Sequence, residues 1–315
     1  MKPTELNQVY SSMSMKRRYE VWFLKIALAD GSGAWWFRYL LTDPGRPAGG
    51  GCPGTAPFQV WATWFPADGP PTSCIEGFPL DGLEISGRNE DLSIAHNENR
   101  ISHDRCAGRV SAGGRNVSWD LSYKSGAGFS MSDVGWIGFS RTPHTDAVFD
   151  GWIEMDGIRQ SGSPLGFGLQ GHNCGFRHRN LWTWTHLYAR NADGRTTTFE
   201  ALEYEIGFGL YFRKALLWHN GNLHVLKGFK TFERDRDRMR WSFDCFEEGT
   251  GLAVHAEIDG GGISQHRLPY TRTDCSGTFE VANNSLARGS ITIGHPDRPE
   301  LTLTGDAGAV LEMVG

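Results

Sequence analysis

Residues 171–206 carry the densest grouping of side chains able to do chemistry. Gly171-His172-Asn173-Cys174-Gly175-Phe176-Arg177-His178 leads into Leu181-Trp182-Thr183-Trp184-Thr185-His186-Leu187-Tyr188-Ala189. Side chains alternate along a strand, so Trp182, Trp184, His186 and Tyr188 share one face, and Leu181, Thr183, Thr185 and Leu187 the other. Two indoles, an imidazole and a phenol suit a cavity wall, with apolar area and a few polar tips. A turn at Asp193-Gly194 returns the chain through Phe199-Glu200-Ala201-Leu202-Glu203-Tyr204-Glu205. With a two-residue turn, Trp184 faces Glu203 and His186 faces Ala201, which puts Glu203 and Glu205 on the aromatic face. A slip of one residue brings Glu200 there instead. Either register sets a carboxyl beside His186. Desolvation among rings raises a carboxyl pKa, and a neighbouring imidazolium lowers it. A carboxylic acid kept protonated in such a site acts as a general acid.

Other readings of the same residues stay open. The Trp/His strand also reads as plain barrel core. Trp platforms with paired carboxylates serve carbohydrate chemistry too, where two acids stand about 5–10 Å apart in an open cleft. A carrier of a hydrophobic ligand needs the same cavity and no catalysis. His172, Cys174, His178 and His186 match no standard zinc spacing, so no metal is expected. Glu154, Asp156, Glu257 and Asp259 lie near turns and read as solvated surface, and Asp120 as an outer-face residue. GxSxG, P-loop and HExxH motifs are absent, as is GxGxxG in a strand–helix context.

The elements that position these residues read as β throughout. Twelve Trp and eighteen Phe accompany forty-one Gly, a mixture of pleated-surface and turn formers. Tyr19 to Leu28, a turn at Asp30-Gly31, and Ala34 to Leu41 make a hairpin that is apolar on both faces and therefore central. Gln59 to Phe65, Val117 to Tyr123 and Phe149 to Ile158 continue as strands. The Trp-rich strand then opens a second hairpin of the same form, which hints at an internal duplication. Strands recur from Leu210 to the end at the short spacing of a barrel or sandwich. No stretch keeps a helical period. Length suits two domains of roughly 150 residues, with a loose tail at 1–18, an N-terminal β-domain at 19–158 and a C-terminal one at 159–315.

Charged residues are 21% of the 315-residue chain and the net charge is -5. A folded protein without a basic stripe results, which argues against a nucleic-acid partner. No apolar run follows a basic start and none is long enough to span a bilayer. A cytoplasmic protein with at most peripheral membrane contact is expected, with its six cysteines reduced. Oligomeric state is not legible.

Tyr19–Leu28, Trp36–Leu41, Ser118-Trp119-Asp120-Leu121, Gly171-His172-Asn173 and Trp182-x-Trp184-x-His186 followed by Phe199-Glu200-Ala201-Leu202 carry a resemblance. The chain resembles the superfamily of hydroxyneurosporene synthase (a carotenoid hydratase), tocopherol cyclase, the AttH-like proteins and the lipocalin-like Diels–Alderases. That resemblance implies two lipocalin-like (calycin-type) antiparallel β-domains around a ligand cavity, and cofactor-free chemistry on polyenes, prenylated molecules or terpenoids. Hydratases and cyclases of this kind protonate a double bond and capture the cation, whereas the Diels–Alderases fold a polyene into a reactive shape. His172, Trp184 and His186 fall where the family's His/Trp motif lies, and Glu200 or Glu203 would supply the acid. Asn173, Trp119, Trp182 and Tyr188 would line the cavity. Where the hydratase has Trp-Gly after the His-Asn pair, this chain has Cys174-Gly175.

Overall fold

The computed structural model describes residues 2–10, 16–46, 49–135, 137–191, 194–295 and 298–315. Among them the chain is almost wholly strand, and the helix α1 (Pro3–Leu6) is a single turn. It forms two compact units. The first holds the chain up to Trp64, Thr72–His178 and Tyr270–Phe279; the second holds Phe65–Pro71, Arg179–Pro269 and Glu280–Gly315.

The first unit opens with β1 (Tyr19–Leu28), β2 (Gly33–Thr42), β3 (Phe58–Pro66) and β4 (Thr72–Phe78). Short strands follow: β5 (Glu84–Ile85), β6 (Ser93–His96) and β7 (Asn99–Ser102). Longer ones complete it: β8 (Arg105–Ala112), β9 (Arg115–Lys124), β10 (Phe129–Asp133), β11 (Gly138–Met155) and β12 (Ile158–Gly175). They make one sheet in the order β4-β3-β2-β1-β12-β11-β9-β8-β7-β6-β5, with β10 paired to β11. Its concave side is packed with Trp22, Leu24, Phe37, Tyr39, Trp119 and Phe149. The alternation in β9 is as expected, with Val117, Trp119, Leu121 and Tyr123 buried. Asp120 lies on the outer face, where Arg105 grips it with two donors, Nε and Nη2.

The second unit holds β13 (Trp182–Arg190), β14 (Thr196–Gly207), β15 (Leu210–His219), β16 (Asn222–Asp235) and β17 (Arg240–Phe246). It continues through β18 (Ala253–Asp259), β19 (His266–Thr271), β20 (Thr278–His295) and β21 (Arg298–Val314). The order β18-β17-β16-β15-β14-β13-β21-β20-β19 closes on itself because β18 also pairs with β20. Closure removes the sheet edges. Leu187, Phe199, Trp241, Phe243, Ile291 and Leu311 fill the barrel. The all-β fold of two lipocalin-like units is therefore present.

Three expectations need correction. The units do not divide at residue 158/159, because β12 belongs to the first unit, hydrogen-bonded between β1 and β11. Its glycines hid it from a reading based on apolar alternation. They are there for contact: a Cβ at Gly171 would overlap the Phe23 ring, and one at Gly168 would overlap the Lys25 carbonyl oxygen. Second, the segment read as a loose tail is anchored around residues 6–10. Leu6, Asn7 and Val9 are buried, and Val9 exchanges backbone hydrogen bonds with Glu90 and Asn89. Third, Cys52 and Cys275 form a disulfide, so the six cysteines are not all reduced thiols and the thiol argument for a cytoplasmic chain loses this pair. Sequence spacing could not show it, since 223 residues separate the two. The turn expected at Asp193-Gly194 falls partly outside the described residues. No helix among the described residues is long and apolar enough to cross a membrane.

One corner of the first unit carries a pH signature. The Ser125 hydroxyl lies 2.8 Å from His144 Nδ1, and His144 Nε2 lies 3.3 Å from His103 Nδ1. Burial, and then the neighbouring His103, push His144 down to about 4. His103 is lowered as well by burial, against the pull of Asp104 and Asp91. The edge of Tyr123 packs on His144. Because the folded pKa lies below that of the unfolded chain, His144 contributes stability above pH 6.5 that is lost as pH falls towards 4. Denaturant unfolding is expected to show a loss on the order of 2–3 kcal/mol over that window. His144→Gln should reduce this loss without abolishing it, because burial also lowers His178, to about 3, and His266.

Candidate functional site

On the second unit, β13 pairs with β14 so that His186 stands opposite Glu200, Trp184 opposite Leu202 and Thr183 opposite Glu203. This is the slipped register, not the one with Trp184 facing Glu203. The reason lies on the other side of the strand. Leu187 and Ala189 must meet Phe199, Ala201, Ala215 and Leu217 inside the barrel, and only this register brings those apolar residues to one face. On its other side β13 meets β21, where Thr185 donates to the Val310 carbonyl oxygen at 2.7 Å.

The opposite face then gathers Trp182, Trp184, His186, Tyr188, Glu200 and Leu202. Across β21, Glu312 stands opposite Trp184 and Val310 opposite His186. Trp184 Nε1 donates to Glu200 Oε1 at 2.8 Å, and Trp182 Nε1 donates to Glu312 Oε1 at 3.1 Å. Asn283 Nδ2 reaches Glu312 Oε2 at 3.4 Å. His186 is 0% exposed and Glu200 1%. Lys214, one diagonal step from Glu200 on β15, has its ammonium lowered by burial and partly restored by the Glu200 carboxylate. Two carboxyls, an imidazole and indole N–H donors thus share a dry aromatic face. Such a face can move a proton and stabilise positive charge.

Glu203 sits on the inward side of the barrel wall, buried and paired with both Arg213 and Arg234. Two guanidinia therefore compensate the charge of that carboxyl, and it lies on the opposite side of the sheet from His186.

On the first unit, His172 points into the concave side of the sheet. Its Nε2 lies 2.8 Å from Glu20 Oε1 and its Nδ1 lies 3.1 Å from the Leu6 carbonyl oxygen. The ring stacks on Trp22 with centroids 4.8 Å apart. Glu20 Oε1 also accepts the Tyr10 backbone N–H at 2.8 Å. Neither His172 nor Glu20 has exposed side-chain area. The pair therefore latches residues 6–10 onto β1 and β12. Trp119 is core: its Nε1 donates to the Tyr39 hydroxyl at 3.2 Å and lies 3.1 Å from Cys106 Sγ.

Asn173 follows His172 and turns to the convex face, beside Val21. That face carries Phe23 stacked on Trp36, with Lys25 directly opposite Trp36 and Arg38 opposite Phe23. Lys25 is fully buried, and burial pushes its ammonium down to about 7. The Arg38 guanidinium lies over Trp61 and Tyr270, 4.6 and 4.0 Å from the ring centroids. Among the described residues, Arg38 Nη1 and Asn173 Oδ1 are buried without a hydrogen-bond partner. A buried donor and a buried acceptor of this kind are what a polar group on a ligand would satisfy.

The expected site residues thus fall into separate groups. Trp182, Trp184, His186, Tyr188 and Glu200 share one face of the second unit, and Glu203 lies on the reverse. His172 and Trp119 are internal to the first unit, and Asn173 is on its convex face. Glu20, Lys25, Arg38 and Glu312 were missed. They are charges inside strands otherwise apolar on both faces (Glu20 and Lys25 in YEVWFLKIAL, Arg38 in AWWFRYLL, Glu312 in AVLEMV), and that exception was the available signal.

The geometry is that of a double lipocalin-like protein, and solved structures share it. CghA matches with a TM-score of 0.63 at 12% identity, over 94% of this chain and 88% of that one. Kievitone hydratase from Nectria haematococca gives 0.56 at 13%, over 98% and 93%. A putative AttH from Nitrosomonas europaea gives 0.53 at 13%, over 95% and 92%. At such identities the likeness is one of fold. No protein-family model matches the chain, and no curated protein does.

The latch makes a testable claim. His172→Ala removes the buried ring that stacks on Trp22 together with its contacts to Glu20 and the Leu6 carbonyl, and should lower unfolding stability by about 3–5 kcal/mol in urea titrations. Glu20→Gln keeps a hydrogen-bonding group and should cost about 1–2 kcal/mol. Equal, small losses would contradict the latch.

Proposed function

We propose that the chain binds a lipophilic polyene, prenylated or terpenoid molecule and cyclises or hydrates it without a cofactor, on the aromatic face of the second unit. The observation that carries this reading is the buried carboxyl of Glu200, paired across the strands with His186 and oriented by the Trp184 N–H at 2.8 Å. Glu200 delivers a proton to one carbon of an alkene, leaving a carbocation on its neighbour. Trp182 and Trp184 present π faces to that cation, a contact worth on the order of 2 kcal/mol when desolvated. Water or a ring-closing double bond or phenol captures it. His186 takes up the proton that capture releases and returns it to Glu200, which closes the cycle. The fold shared with a protein named as a hydratase supports the reading.

Transport of the same ligand without turnover is the second reading, favoured by the near-complete burial of the face: Trp184 is 7% and Tyr188 8% exposed. The sugar reading finds less support. An open cleft of about 460 Å³ on the second unit holds Glu233, Glu257 and Asp259. Its one tryptophan, Trp241, is fully buried and offers no platform for a ring.

Native mass spectrometry with solvent extraction of protein purified from its own host should yield a polyene or terpenoid. Incubated with that compound, the protein should convert it. Glu200→Gln and His186→Ala should each slow conversion by about 10²-fold or more while still binding the compound. Unchanged ligand with wild-type protein would favour transport. A protein that carries no ligand and binds no hydrophobic dye would contradict both.

A further inference from the structure

The sheets use a recurring connection: a two-residue turn with both central residues at positive φ. Gly113-Gly114 joins β8 to β9 with φ of 61° and 75°, Asp156-Gly157 joins β11 to β12 with 52° and 86°, and Asn220-Gly221 joins β15 to β16 with 52° and 78°. These are the residue pairs such hairpins favour, because glycine, asparagine and aspartate tolerate the left-handed region. Between β14 and β15 the same turn is built from Phe208-Gly209, with φ of 55° and 74°. A bulky aromatic at that position is disfavoured by its backbone. It is also disfavoured by solvation, for Phe208 is 106% exposed and Ile206 and Leu210 flank it at 53% and 62%. Folding gains nothing from either feature, so an unfavourable residue in a place where the chain otherwise chooses well points to a function for the tip.

The base of this hairpin is basic. Arg179 lies over Tyr204, and Arg213 and Arg234 lie over Tyr211. Arg236 stands close enough for its charge to act on Arg234. Against these four cations stand Glu203, which pairs with Arg213 and Arg234, and Glu205, which accepts the Gly209 backbone N–H at 3.3 Å. Behind the apolar tip four guanidinia thus gather around two carboxylates, with Asp235 and Asp237 flanking Arg236 along the chain.

We propose that the Ile206–Leu210 tip inserts into the interface of an anionic lipid bilayer, with the arginines at its base meeting the headgroups. A single convex turn is too small for a stable protein contact, which buries about 800 Å² on each partner. A bilayer interface asks for no such area. It takes in apolar side chains at a shallow depth while the turn's polar backbone stays hydrated among the headgroups. Negative lipid complements the arginines. The inference does not depend on what the aromatic face does to a ligand, but it gives a lipophilic ligand a source.

The turn itself supplies the test. Phe208→Asn restores the Asn-Gly pair used between β15 and β16, so the variant should fold and melt at or above the wild-type temperature. In sedimentation with vesicles of phosphatidylcholine and phosphatidylserine, wild-type protein should bind, and bind less to phosphatidylcholine alone. Phe208→Asn should weaken binding by about tenfold or more, and Ile206→Ser with Leu210→Ser should do the same by a second route. Wild-type protein that stays in the supernatant, or variants that bind as it does, would overturn the proposal. So would light scattering that finds a wild-type dimer and a Phe208→Asn monomer, since the tip would then be a contact between copies.

Discussion

The pairing of His186 with Glu200 decides what each side of the closed barrel is made of. In a strand the side chains alternate, so one step of register exchanges the two faces completely. Here the inner face is fixed by Leu187, Phe199, Ala201, Ala215 and Leu217, all buried, and the outer face has to accept what remains. What remains is Trp184, His186, Glu200 and, across β21, Glu312. Core packing thereby assembles the polar cluster, and the cluster needs no pairing preference of its own.

The same logic sorts the two glutamates of β14. Glu203 lies three positions after Glu200, an odd step along the strand, so one register cannot put both on the aromatic face. Glu203 falls inside the wall and is neutralised by Arg213 and Arg234. Glu200 falls among indoles and keeps an N–H donor. Two acids three positions apart thus acquire different partners from the side of the sheet they occupy.

Much of this was legible in the sequence, and the limits are physical. Strand type, the two hairpins, the shared face of Trp182, Trp184, His186 and Tyr188, and the outward Asp120 follow from a period of two. The register did not, because turn length alone allowed two pairings and only the inner core chooses between them. β12 was cut in two by a domain boundary because glycines selected for close approach to Phe23 and Lys25 carry no apolar signal. The Cys52–Cys275 bond joins segments remote in sequence, beyond any local pattern. His172 was legible as important but not as a latch, since its partner Glu20 lies 152 positions away.

Buried charge is the common thread of the two units. Lys25, Arg38, Glu20, His172, Glu200 and Glu203 all sit in strands that could have been wholly apolar, and each adds a desolvation cost that partners must offset. Where the partner is evident, as for His172 with Glu20 or Glu203 with two arginines, the pairing secures structure. Arg38 and Glu200 instead meet aromatic side chains, Arg38 over the Trp61 and Tyr270 rings and Glu200 through the Trp184 N–H.

The most direct test of this arrangement is the indole N–H spectrum of protein labelled with ¹⁵N in its twelve tryptophans, with the Trp184 signal assigned by Trp184→Phe. Glu200→Gln should move that signal, because it replaces the carboxylate accepting its hydrogen bond, and Glu203→Gln should leave it in place. A Trp184 signal that moves with Glu203→Gln and ignores Glu200→Gln would mean that the strands pair in the other register and that the acid on the aromatic face is Glu203.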